Sequence, residues 1–166
     1  MKARFEKQID ELSRDVVIRL GQIDKSLMVA ESCTAGLLGH SIARTPGASK
    51  IFWGGLIVYS NSAKQILAGV DPEIIQGSGA VSEETVDALL HGLLQRFPID
   101  AALAVSGIAG PGGGTPEKPV GTVYIGSICR WLDEKKYIQR CRFEGERVEI
   151  QAQAVIEGMK QLLTML

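Results

Sequence analysis

Three stretches of this 166-residue chain carry side chains whose types and spacing could do chemistry. The first is Ala30-Glu31-Ser32-Cys33-Thr34-Ala35-Gly36. Here an apolar segment, Leu27-Met28-Val29-Ala30, runs into hydroxyl and thiol residues just ahead of a helical pattern. Such a strand-to-helix turn puts nucleophile-type side chains at the positive end of a helix, where developing negative charge is stabilised. Ser32 is a candidate nucleophile, and equally a good helix N-cap. Cys33 competes, because a thiolate attacks more readily than a hydroxyl. It lacks a local base, since His40 lies seven residues on, about 10 Å along a continuous helix, and His91 belongs to another helix. Cys33 therefore reads as a buried small thiol.

The second stretch is Tyr59-Ser60-Asn61-Ser62-Ala63-Lys64. With Asn61 as N-cap, Lys64 falls at the third helical position, where an acid is favoured. The helix dipole and partial burial would both lower its pKa. A neutral lysine is the base a serine–lysine hydrolase needs. The plainer reading is a lysine that reaches solvent. The third stretch runs from Ser106-Gly107-Ile108-Ala109-Gly110-Pro111 through Gly112-Gly113-Gly114 to Lys118-Pro119. It follows an apolar strand, the place where open α/β sheets put ligand loops. Its glycines let backbone N–H groups approach an oxyanion or a phosphate. It lacks the Gly-Lys-Ser/Thr ending of a P-loop, and its prolines forbid a helix there.

Bulk composition narrows the classes. Net charge is −1, with 45% hydrophobic and 22% charged residues. That fits one soluble domain spanning residues 1–166 and argues against a nucleic-acid partner held by broad basic attraction. Three cysteines without CxxC spacing and two histidines suggest reduced thiols, a cytoplasmic setting and no metal or other cofactor. The charged N-terminus does not look like a signal peptide, and no apolar run is long enough to span a membrane.

The elements that must position these residues follow from periodicity. Helices are expected at Phe5–Leu20 with Gly21 as stop, Thr34–Arg44, Asn61–Leu67, Ser82–Phe97 and Glu146–Leu166. Strands are expected at Ser26–Ala30, Ile51–Tyr59, Ala101–Ser106, Val120–Cys129 and Lys135–Phe143, with Gly54-Gly55 marking a bulge or close approach. The pattern predicts a three-layer α/β/α sandwich around a mixed, mostly parallel sheet.

Five strings in order resemble the CinA C-terminal domain family, which includes the stand-alone nicotinamide mononucleotide deamidases called PncC. They are Ala30-Glu31-Ser32-Cys33-Thr34, Tyr59-Ser60-Asn61 with Lys64, Gly79-Ala80-Val81-Ser82, Ser106-Gly107-Ile108-Ala109-Gly110-Pro111 and Lys118-Pro119-Val120-Gly121-Thr122-Val123. The resemblance implies an α/β/α sandwich that hydrolyses the carboxamide of nicotinamide mononucleotide to nicotinate mononucleotide and ammonia. It implies Ser32 as nucleophile, Lys64 as base and Tyr59 as an aid to proton transfer. Substrate contacts are implied for Glu31, Thr34, Gly36 and Asn61 and for Ser106, Gly107, Ile108, Ala109 and Gly110. Lys118 and Arg147 are candidates for the phosphate, and the oxyanion donors are sought at Thr34–Gly36 or Gly107–Gly110. A small-molecule nucleotide partner and a homodimer are also implied. Two departures stand out: Ala35-Gly36 where the family often has Gly-Gly, and Gln151 where a second arginine, one turn after Arg147, is common. A non-catalytic nucleotide-binding or regulatory module, or an amidase for another carboxamide, is an alternative on the same motifs.

Overall fold

The computed structural model describes residues 2–166. Five strands form one mixed sheet in the order β2-β1-β3-β4-β5: β1 (Leu27–Glu31), β2 (Phe52–Ile57), β3 (Ala101–Gly107), β4 (Thr122–Cys129) and β5 (Lys135–Arg142). β1 pairs in parallel with β2 and β3, whereas β3–β4 and β4–β5 are antiparallel. Parallel pairing is thus half of the sheet rather than most of it. For β4–β5 the reason is the short connection after Cys129, which can only return the chain antiparallel.

Helices α1 (Ala3–Gln22), α2 (Leu37–Ala43) and α6 (Arg147–Leu163) cover one face. Helices α3 (Asn61–Ala68), α4 (Pro72–Ser78) and α5 (Glu83–Arg96) cover the other. The central strands serve both faces by alternation. Leu27 and Val29 of β1 and Leu103 and Val105 of β3 join the first core. Met28 and Ala30 of β1 and Ala102 and Ala104 of β3 join the second. At about 1.5–3 kcal/mol for each fully buried large apolar side chain, this seam anchors the loops that leave its ends.

Several boundaries differ from the periodicity reading. α1 continues through Gly21, because Leu20 still packs in the core and its carbonyl accepts from Lys25 N–H beyond the helix end. α2 begins at Leu37 rather than Thr34, since residues 32–36 form a tight turn instead. α4 was not anticipated, although Asp71-Pro72-Glu73 supplies an N-cap carboxylate, a first-turn proline and a first-turn acid. The expected irregularity at Gly54-Gly55 is present: Leu27 pairs with Phe52 and Met28 with Gly54, leaving Trp53 as the extra residue.

The topology points to where a ligand belongs. β1 crosses to β2 over the α2 face, and β2 returns to β3 over the face of α3, α4 and α5. The crevice at the carboxyl ends of β1 and β3 is therefore the topological switch point.

Candidate active site

Each of the three chemical stretches leaves the sheet at that same edge. Ser32 directly follows β1, Tyr59 lies just past β2, and Ser106-Gly107 closes β3. The N-terminus of α6 brings Arg147 to the same place. Together they line a cavity of about 230 Å³ that includes Ser32, Cys33, Tyr59, Asn61, Lys64, Ser106 and Arg147, with the loop residues Gly107, Ile108, Ala109 and Gly110 as one wall.

The turn carrying Ser32 is held by Glu31. This buried carboxylate accepts from the N–H groups of Gly36 (3.0 Å), Leu38 (3.0 Å) and Gly39 (2.7 Å). It satisfies the orphan donors of α2 and complements the helix dipole. Glu31 was expected to contact substrate; both its oxygens are instead committed to the helix start, and it does not line the cavity. Thr34 is buried with an unpartnered hydroxyl, and Gly36 adopts φ +98°, a conformation that favours glycine. Neither lines the cavity, so both belong to the turn rather than to the substrate surface. Gly36 N–H, spent on Glu31, is no oxyanion donor.

Ser60, not Asn61, caps α3: its hydroxyl accepts from Ala63 N–H at 3.1 Å. Asn61 becomes the first helical residue and Lys64 the fourth, which turns Lys64 inward. Lys64 is 1% exposed. Its Nζ lies 3.1 Å from Ser32 Oγ, 2.8 Å from the Val58 carbonyl and 3.3 Å from the Tyr59 carbonyl. No carboxylate is hydrogen-bonded to it among the described residues, and burial pushes its pKa below the usual 10.5. In the neutral form the amine has two hydrogens and one lone pair. The two carbonyls take the hydrogens, and the lone pair is left for the Ser32 hydroxyl proton.

Burial has the opposite effect on Cys33, whose thiol is pushed up to about 12. It stays protonated near neutrality and is a poor nucleophile. Tyr59 is 58% exposed, and its hydroxyl accepts from Arg147 Nη1 at 3.4 Å. What it offers Lys64 is its main-chain carbonyl, so the expected proton relay through the phenol is not the arrangement present.

Two groups of backbone donors belong to residues that line the cavity. Cys33 N–H, on the residue after Ser32, and the N–H groups of Ala109, Gly110, Gly112 and Gly113 have no partner among the described residues. The loop that carries the latter is anchored by Ile108 N–H to Thr122 O (2.9 Å), Gly121 N–H to Ile108 O (2.7 Å) and Ser106 Oγ to Ala80 O (2.6 Å). Gly107 is required there, because a Cβ would lie 2.7 Å from the Val123 side chain and 2.9 Å from Thr122 O. Lys118, expected at the phosphate, donates to Ser78 O at 2.9 Å and does not line the cavity. It ties the loop to the end of α4. Arg147 also borders a neighbouring depression of about 550 Å³ with Ala109, Pro111 and Val148. Gln151, noted in the sequence only as standing where a second arginine is common, donates to Cys33 O at 2.8 Å. Its only sequence signal was its position one turn after Arg147. Among the described residues, no group of three or more His, Cys, Asp or Glu could hold a metal, and no helix is long and apolar enough to cross a membrane.

The sequence profile of the CinA C-terminal domain matches residues 9–166. This chain belongs to that family. A CinA-like protein from Synechocystis is 49% identical over 122 residues, covering 74% of this chain and 29% of that protein. One from Thermotoga maritima is 41% identical over 154 residues, covering 92% and 37%. The chain thus spans about a third of the length of these curated CinA relatives. Among solved structures, the competence/damage inducible protein CihA from Agrobacterium tumefaciens superposes with TM-score 0.92 at 34% identity over 95% of both chains. A CinA superfamily protein from Escherichia coli gives 0.91 at 26% identity, covering 100% of this chain and 94% of that one. The shared CinA fold accounts for the three-layer sandwich and the placement of the five strings along it.

Proposed function

We propose that this CinA-family domain is a serine–lysine amidase that hydrolyses the carboxamide of nicotinamide mononucleotide. The observation that carries the reading is the buried Lys64 amine 3.1 Å from Ser32 Oγ, with two carbonyls for its hydrogens and no carboxylate partner. Lys64 takes the Ser32 proton as Oγ bonds to the carboxamide carbon, and Cys33 N–H faces the resulting oxyanion. Collapse breaks the C–N bond, and the proton held on Lys64 leaves with the nitrogen as ammonia. Water then gives a proton to Lys64 and its oxygen to the acyl carbon. The C–Oγ bond breaks, the proton on Lys64 returns to Ser32, and the acid formed leaves as nicotinate after losing its own proton to solvent. Arg147 and the free N–H groups of the glycine loop suit the nucleotide's phosphate, with the neighbouring depression giving it room. The family likeness also carries the expectation of a homodimer, which light scattering tests.

The decisive assay is ammonia release from nicotinamide mononucleotide. Wild-type protein is expected to turn over, with Ser32→Ala down about 10³-fold or more and Cys33→Ala far less affected. A Ser32→Ala protein with full activity would remove the nucleophile. A folded wild type that binds the nucleotide without releasing ammonia would instead favour a binding module, and turnover of other amides alone would redirect the substrate.

A further inference from the structure

Gln151 sits on the second turn of α6, 118 residues from the turn it touches, and its amide donates to Cys33 O at 2.8 Å. A peptide is planar and trans, so its C=O and N–H point in opposite directions. The Ser32–Cys33 peptide is held by its carbonyl, which accepts from Ala35 N–H at 3.1 Å. Gln151 holds the next peptide, Cys33–Thr34, by the same handle. Cys33 is therefore gripped on both sides, which fixes its backbone dihedrals. Its N–H bonds to no other residue among those described, and Cys33 lines the cavity beside Ser32. Arg147, one turn earlier on the same helix, meets the Tyr59 hydroxyl across the cavity mouth. One helix thus braces the nucleophile turn and the rim together.

We infer that Gln151 is a positioning residue for acyl transfer, acting through the Cys33 carbonyl to aim Cys33 N–H at the developing oxyanion. The inference rests on the amidase reading above. It differs from a packing role because only a hydrogen-bond donor can perform it. A long apolar side chain would fill the space and leave the Cys33 carbonyl without its donor, with only the neighbouring Ser32 and Thr34 carbonyls still held. An arginine could reach the same carbonyl with a guanidinium N–H.

The test compares wild type, Gln151→Leu and Gln151→Arg in two assays. One follows ammonia release from nicotinamide mononucleotide. The other follows the rate at which a small fluorophosphonate labels Ser32, which reads nucleophile and oxyanion donor without depending on the true substrate. Loss of a complete oxyanion donor costs about 10²–10³-fold, so a misaimed one is expected to cost about 10–100-fold. Gln151→Leu should lose that much in kcat and in labelling rate, with KM and the pH profile unmoved. Gln151→Arg should recover most of it. Wild-type rates in Gln151→Leu, or an equal loss in both variants, would overturn the inference. A wild type that labels at Ser32 without releasing ammonia would reject the substrate alone and leave the labelling comparison decisive. A wild type that does not label would remove both the nucleophile and the role of Gln151.

Discussion

Lys64 is where chemistry and stability meet in this CinA domain. A lysine at 1% exposure whose pKa is depressed by burial gives up its proton more readily than a free lysine, and its burial is also a cost to the fold. The unfolded chain binds a proton that the native site resists, so stability rises with pH between the lowered native pKa and the ordinary value of 10.5. Lys64→Met removes that dependence. Thermal unfolding of the variant is expected to compare best with wild type at low pH, and the comparison should worsen steadily as pH approaches 10. A difference in Tm that does not change with pH would mean Lys64 is not depressed. The rate should tell the same story. Wild-type kcat/KM climbs with pH and levels off below the range of a free lysine, whereas Lys64→Met is slow and flat. A second residue-level effect lies at Ala35, which sits at φ +51°. A non-glycine residue there costs about 1–2 kcal/mol, partly offset by glycine's greater entropy loss. Ala35→Gly is therefore expected to stabilise by up to about 1 kcal/mol in denaturant unfolding, with the turn geometry and kcat retained.

At the scale of elements, α2 depends on one carboxylate. Glu31 gathers three N–H groups at the helix start, so Glu31→Ala strands buried donors at about 1–3 kcal/mol. The substitution also loosens the turn that aims Ser32. Its Tm and kcat are expected to fall together, and a variant that loses neither would show the cap to be dispensable. Much of the placement of this candidate site is legible in the sequence. Ser32, Lys64 and the glycine loop follow strands of strong apolar pattern, and such strands end at one edge of a parallel pairing. The partners of individual polar groups were not legible. Glu31 looked like a ligand contact because a carboxylate beside a candidate nucleophile is ambiguous until its donors are placed, and those donors belong to residues five to eight positions on. Lys118 and Gln151 act over 40 and 118 residues of chain, beyond any local pattern. α4 was missed because seven residues are too few to show helical period, although its Asp71-Pro72 start was readable. The shift of the α3 cap from Asn61 to Ser60 moved Lys64 by one position, and that decided which way it points.

The whole molecule divides into two cores that share one sheet, and the site stands on the seam. Because β1 and β3 send alternate side chains to opposite faces, neither core can be lost while the other keeps its strands. The protein should therefore unfold in a single transition, in spite of having two separate apolar clusters. Leu89 of α5 belongs to one core and Met159 of α6 to the other, and both are fully buried. Truncating either to alanine costs about 2–5 kcal/mol. For a chain of this length each kcal/mol moves Tm by about 2–4 °C, so each variant should melt roughly 5–15 °C lower. Far-ultraviolet circular dichroism and calorimetry should both report one cooperative step, shifted as a unit. Two resolved steps, with Leu89→Ala moving one and Met159→Ala the other, would show that the sheet does not couple its faces. In that case α6 could detach while α5 held, and Arg147 and Gln151 would leave the site before the strands that carry Ser32 came apart.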